Sequence, residues 1–515
     1  MSRSGPPSSP AGPASSALAA LQQRYGAPYR WLLLMTVMIG TIASVMSSTI
    51  VNVAIPDMSR HFSLGQERAQ WVSSGFMVAM TVSMLTTPWL LGRFGYRRTY
   101  AAAMVTLLAG GLVGGFAGSY GLVMAGRVAE GLAAGVVQPI PAIIILRAFA
   151  PHEQGRASGI FGMGVVLAPA IGPSLGGVLV DGFGWRSIFF MVVPFCLVCL
   201  WLGQRFVPDT APGGAAADRQ AAGRLDWLGL GLGCAGTLCL LNGLVALNST
   251  TGLGEAVVLL GAAAALFAAF VAWEYRLGRT GGTPLMHLAL FRHRSFTMGS
   301  VVSFIYGTAL FGSTYLLPVY MQLGLHLSAV HVGTLMMPAG IVLAIAIAVV
   351  GRLADRQPTY RLVSIGLALL AVSFGLMTFV GMQTALWILV GFAILGRIGL
   401  GFILPSLNLG TLQPLDPALV PQGASAVNFL RMLGGAAGVS LCGIVLEWRL
   451  AVHGDSLANA TTSVARLAAF NDTFWMLAGL CLLALVAALQ LRAGPSSGKK
   501  HKAVAQRIPP SSPES

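Results

Sequence analysis

Trp31–Pro56 reads WLLLMTVMIGTIASVMSSTIVNVAIP, a run without an ionisable side chain. At about 1.5 Å per helical residue it is longer than the roughly 30 Å hydrocarbon core of a bilayer requires. It predicts a membrane span and not a cleaved leader, because no small-residue cleavage site follows the apolar run. The rest of the chain agrees: 55% of its residues are apolar and 9% charged, where a soluble domain carries roughly 25% charged residues. Most of the chain therefore faces lipid. Fourteen transmembrane helices are expected, near 31–56, 69–91, 99–118, 121–147, 156–180, 185–205, 226–247, 254–274, 296–320, 329–351, 361–381, 384–411, 420–446 and 470–492. Residues 1–30, rich in Ser, Pro, Ala and Gly, read as a disordered cytoplasmic tail, and 493–515 as a basic one.

A net charge of +15 raises the question of nucleic acid, but no basic patch lies on a folded face. With the N-terminus inside, 23 of the 31 Lys and Arg fall in cytoplasmic segments, five outside (Arg60, Arg68, Arg186, Arg449, Arg466) and three within helices (Arg127, Arg397, Arg431). That asymmetry is the positive-inside rule, and it places both termini of a multi-pass inner (cytoplasmic) membrane protein in the cytoplasm. The turn near 411–420 has no basic residue. All six cysteines lie in apolar helices, where a thiol acts as a small hydrophobe, so no disulfide framework is inferred. Cys196 and Cys199 have zinc-knuckle spacing without a second ligand pair, and no metal is expected.

Two copies of one plan are visible. Helix four carries Arg127, Gly131, Gly135 and Pro139 at four-residue intervals; helix twelve carries Arg397, Gly401 and Pro405, at an offset of 270. The turn Gly92-Arg93-Phe94-Gly95-Tyr96-Arg97-Arg98 after helix two is echoed by Gly351-Arg352-Leu353-Ala354-Asp355-Arg356 after helix ten, at an offset of 259. Each half is then six helices, 31–205 and 296–492, and the segment 206–295 holds two inserted helices between polar linkers.

Further stretches complete a pattern: Thr49-Ile50-Val51-Asn52-Val53-Ala54-Ile55-Pro56, Gly172-Pro173-Ser174-Leu175-Gly176-Gly177, Trp185-Arg186-Ser187-Ile188-Phe189-Phe190, Arg224-Leu225-Asp226, Leu290-Phe291-Arg292-His293-Arg294-Ser295-Phe296, Asn428-Phe429-Leu430-Arg431 and Phe474-Trp475-Met476. Taken in order over nearly the whole chain, these residues resemble the major facilitator superfamily, specifically its fourteen-helix drug:proton antiporters of the EmrB/QacA type. The resemblance implies an all-α membrane fold, rocker-switch alternating access about a central cavity, and protons entering as substrate leaves. It also implies a periplasmic adaptor in members that export across an outer membrane; the outer loop 447–469 is shorter than in those members. Two positions depart from the family pattern. Ser47 stands where helix one usually has a proton-coupling aspartate, and Gly92 occupies the acidic position of the turn after helix two, which the second copy keeps as Asp355.

Glu130 is the one acid placed well inside a helix, about ten residues and hence roughly 15 Å from the outer end of helix four. A charge there costs about 2.5–3.5 kcal/mol or more, so Glu130 is the candidate proton carrier. Arg127, three residues earlier on the same face, is its partner in either a coupling pair or a purely structural one. Arg397 and Arg431 have no carboxylate nearby in sequence and need partners across helices. Asp355, with Arg93 in the equivalent turn, completes a candidate charge latch that pairs with one of these arginines in one state and releases it in the other. Asp57, just past Pro56, reads as a boundary residue.

Thr41, Ser44, Ser48 and Asn52 share one face of helix one, which predicts cavity lining, although Ser and Thr equally satisfy their own backbone carbonyls. Gln138 and the stripe Phe304, Phe311 and Tyr315 are further cavity candidates; such a stripe also suits simple packing. Gly164, Gly172, Pro173, Gly176 and Gly177, with Gly162 and Pro169, let helix five approach a neighbour closely and bend. No enzyme constellation emerges: the eight histidines fall in predicted loops or tails or, for His331, at the very start of a predicted helix, and neither a phosphate loop nor an acid pair for hydrolysis is present. The expectation is a proton-coupled exporter of hydrophobic or amphipathic small molecules such as drugs, without a cofactor. The alternatives are a nutrient or lipid transporter of the same fold and a transport-inactive receptor or scaffold.

Overall fold

A computed structural model of the chain describes residues 21–26, 28–210, 223–247, 252–381, 383–455 and 463–491. The described residues are mostly helical, with fourteen membrane-length segments in chain order. These are α1 (Tyr29–Phe62), α2 (Arg68–Phe94), α3 (Tyr96–Gly115), α4 (Tyr120–Ala148), α5 (Gln154–Phe183), α6 (Ser187–Phe206), α7 (Trp227–Ala246), α8 (Leu253–Arg279), α9 (Arg294–Gly324), α10 (Ala329–Ala354), α11 (Thr359–Met377), α12 (Leu386–Leu412), α13 (Val420–Val452) and α14 (Val464–Leu489). Thirteen of these regions are long and apolar enough to cross a bilayer by composition. The exception, α3, opens on Arg97-Arg98 and gives four of its twenty positions to glycine. Most of the two tails lies outside the described residues, as do the loop residues 456–462.

Helix ends differ from the sequence reading where a proline or a charge suggested a boundary. α1 continues six residues beyond Pro56, to Phe62, and stops where Ser63 takes a left-handed backbone conformation at φ 51°. Asp57 and His61, expected outside it, are therefore helical, and Asp57 pairs with Arg60 at 2.5 Å. In α2 the chain tightens into a short turn over Met84–Thr86 just before Pro88, whose ring removes a backbone donor. Aromatic side chains at span ends face outward: Phe183 (78% exposed), Phe379 (78%), Trp387 (75%) and Trp227 (72%). Such rings favour the membrane–water boundary.

The two sets of six helices share one packing plan: α1 lies on α5 and α2 on α4 as α9 lies on α13 and α10 on α12. Glycine makes the equivalent crossings close. A methyl group on Gly131 would strike the Phe76 backbone of α2, and one on Gly401 would strike Ala346 and Ile347 of α10. Gly172 and Gly176 likewise seat α5 on Thr49 and Ile50, as Gly434 and Gly438 seat α13 on Phe304 and Thr308. Without a hydrophobic driving force between helices in lipid, such small-residue contacts supply the packing. The inserted α7 and α8 pack on each other, and α7 touches both α2 and α13.

Candidate functional site

Several polar assemblies interrupt the apolar interior of the described residues. The first is centred on α4. Arg127 (1% exposed) donates to Glu130 Oε2 at 2.6 Å, to Ser47 Oγ at 3.0 Å and to the Val72 carbonyl at 3.1 Å, and its guanidinium lies 4.3 Å over the Phe76 ring. Glu130 is fully buried, with its side chain against Gly110 and Gly111 of α3. Its other carboxyl oxygen, Oε1, has no hydrogen-bond partner among the described residues. Ser47, the position where the family pattern has an aspartate, thus holds the arginine by its hydroxyl and carbonyl. In this conformation the pair is sealed inside the first six helices, away from the cavity between the halves.

That cavity, about 180 Å³, lies between the halves and is lined from both sides. Gln138 of α4, Phe161 of α5, Tyr306 and Phe311 of α9, and Asn428 and Arg431 of α13 are in its wall. Of the predicted lining residues, Gln138 and Phe311 are therefore present. From α1 the wall takes Val45 instead of the polar line. Thr41, Ser44 and Ser48 donate to the carbonyls of Val37, Thr41 and Val45 at 2.7–2.9 Å, and the exposed Asn52 accepts from Ser73 at 2.6 Å. Their hydroxyls are satisfied within the helix, which is the alternative their residue types allow. Phe304, two turns from Phe311, is not in the wall; Gly434 of α13 packs against its backbone. Tyr315 is 36% exposed.

Neither Arg397 nor Arg431 has the acidic partner that the sequence reading required: no ion pair among the described residues includes either. Arg397 donates weakly to Thr314 Oγ1 at 3.4 Å, and Arg431 donates to Asn428 Oδ1. Asp355 pairs with neither. It sits at the end of α10 and accepts from the backbone amides of Gly155 and Arg156, at 2.6 and 2.9 Å, on the first turn of α5. A carboxylate at a helix N-terminus meets unsatisfied N–H groups and the positive end of the dipole. Arg93 is exposed; in its turn Arg97 makes the ion pair, to Asp209 at 3.1 Å.

The Asp355 contact belongs to a gate. Gln413 donates to Gln154 at 2.8 Å and Arg147 to the Pro417 carbonyl at 2.5 Å. Beside them Gly155 and Gly159 meet the backbone of Gly351 directly. All these links between the halves lie on the face that holds the start of α1, so the halves are closed there. The turn 411–420, which lacks basic residues of its own, receives Arg147 from the other half. In α5, Gly164 meets Met38 and Gly172 and Gly176 meet α1 as the glycine pattern implied, whereas Gly177 has open space; the Pro173 side chain lies outside the described set.

A second buried acid escaped the sequence reading. Glu274 of α8 is 1% exposed beside Asp226, which caps α7 through the Gly229 amide at 2.9 Å and accepts from Trp273 Nε1 at 3.0 Å. Both acids stand at helix ends flanked by basic residues, so their burial depends on the hairpin's own packing. Tyr306 and Asn428 were also missed as cavity residues; polar side chains in otherwise apolar helices were the signal.

A family model described as Major Facilitator Superfamily matches residues 37–439. A multidrug resistance protein B homolog of Mycobacterium tuberculosis is 29% identical over 437 residues, covering 83% of this chain and 78% of that protein. The multidrug export protein EmrB of Haemophilus influenzae is 28% identical over 429 residues, 82% of this chain and 81% of that one. Among solved structures, the proton:xylose symporter XylE superposes with a TM-score of 0.62 at 11% identity, over 90% of this chain and 95% of that chain, a likeness of fold alone. With the matched region reaching from α1 into α13, the chain belongs to the Major Facilitator Superfamily and is a multi-pass membrane transporter.

Proposed function

We propose that the chain exports hydrophobic or amphipathic small molecules, drugs among them, from the cytoplasm by alternating access coupled to the proton gradient. The observation that carries this reading is the cavity between two six-helix halves, largely apolar in lining and shut on one face by hydrogen bonds between the halves. Relatives named for multidrug resistance and export share most of its length. The excess of Lys and Arg on the closed face supports a cytoplasmic position for it in an inner membrane, with both termini inside. In this scheme Glu130 carries the proton: protonation frees Arg127 from its ion pair and biases the equilibrium between the two conformations. No cofactor or adaptor enters it.

Expression in a drug-susceptible strain should lower the accumulation of a fluorescent substrate, and a protonophore should abolish the difference. Accumulation equal to that of the empty-vector strain would refute export. In proteoliposomes, Glu130→Gln should remove substrate-induced proton release; release at the wild-type level would eliminate Glu130 as the carrier while leaving export standing.

A further inference from the structure

The charge of the cavity wall selects its occupant. Of the 22 residues that line it, Arg431 is the one with a full charge, and none is acidic. Arg431 is held by the neutral Asn428 and lacks an acidic partner among the described residues. Arg397, the other arginine expected deep in the membrane in the second half, lies outside the wall with a weak hydroxyl contact to Thr314. The acid that best matched a central arginine in sequence, Glu130, is committed to Arg127, and Asp355 to the amides of α5. A guanidinium in a low-dielectric wall is costly without a counter-charge, and an organic cation brought beside it is repelled. An anion compensates it with charge-assisted hydrogen bonds. The same wall carries the amide of Gln138, and rings and branched chains, Phe161, Phe311, Leu343 and Leu404.

We propose that the preferred cargo is an amphipathic organic anion, a carboxylate or sulfonate on a flat apolar body, with its charged group on Arg431 and its body against Phe161 and Phe311. The inference rests on the exporter reading of the cavity and adds the sign of the charge. It is the opposite of the lipophilic cations that aromatic faces ordinarily attract.

Two probes with the same aromatic body decide it: 2-naphthalenesulfonate and 2-naphthyltrimethylammonium, measured by equilibrium binding to the purified full chain in nanodiscs at low ionic strength. The sulfonate should bind at least about ten-fold more tightly. Arg431→Gln should remove that preference, and Arg431→Lys should keep most of it, showing that charge and not folding is responsible. Gln138→Glu, which sets an acid in the same wall, should weaken the sulfonate and admit the ammonium ion. Equal or tighter binding of the ammonium ion overturns the charge assignment and leaves the cavity as a cargo site. Sulfonate binding that survives Arg431→Gln and Gln138→Glu overturns it too. Failure of wild type to bind either probe overturns the cargo site itself.

Discussion

Arg127 and Arg397 occupy the same place in the two halves, 270 residues apart, yet their surroundings are opposite. Arg127 has a carboxylate, a serine, a backbone carbonyl and an aromatic face, all within one closed bundle. Arg397 has one long contact to a hydroxyl. A repeated sequence motif has therefore been put to two uses, a neutralised anchor in the first half and an uncompensated positive field near the cavity in the second. The repeat preserves the close helix crossings made by Gly131 and Gly401, while the charge partners have diverged.

The largest expected effect is the removal of the anchor's acid. Glu130→Ala leaves Arg127 buried and unpaired and should cost about 3–5 kcal/mol, read as a large drop in thermal unfolding temperature in detergent. An unfolding temperature close to wild type would mean that the pair is not what stabilises α4. Arg397→Leu should act in the opposite direction. Deleting a membrane-embedded charge that lacks an acid removes an insertion penalty of about 2.5–3.5 kcal/mol, so stability should be unchanged or higher. A loss as large as that of Glu130→Ala would erase the contrast between the halves.

A smaller effect is expected at the gate. Asp355→Asn removes an anionic cap from α5, of the order of 1–2 kcal/mol for such a group, and should shift the population toward opening on the face that carries the start of α1. Spin-label distances across the Gly155–Gly351 contact would report it; an unchanged distance distribution would show that the backbone contacts alone hold the halves.

The helices were legible because a span announces itself by length and the absence of charge, as in Trp31–Pro56. Their ends were not, since Pro56 looks like a boundary in sequence but is tolerated inside α1. The adjacency of Arg127 and Glu130 followed from three-residue spacing on one helix. Partners across helices could not be read: spacing along α10 says nothing about the N-terminus of α5, which is where Asp355 goes. The cavity wall failed at α1 for a related reason. Hydroxyls on one face signal polarity, but whether they turn to a cavity or to their own backbone is decided by the neighbouring helix.

The inserted hairpin touches both halves through α7, which meets α2 and α13, and on the α2 side Trp89 donates to the Gly223 carbonyl at 2.8 Å just before α7 begins. Any rocking of the halves must then shear one of these two seams, and the one tied by Trp89 resists more. The hairpin becomes ballast carried by the first half, and the α7–α13 seam a slip plane along which lipid-facing side chains slide during each transport cycle.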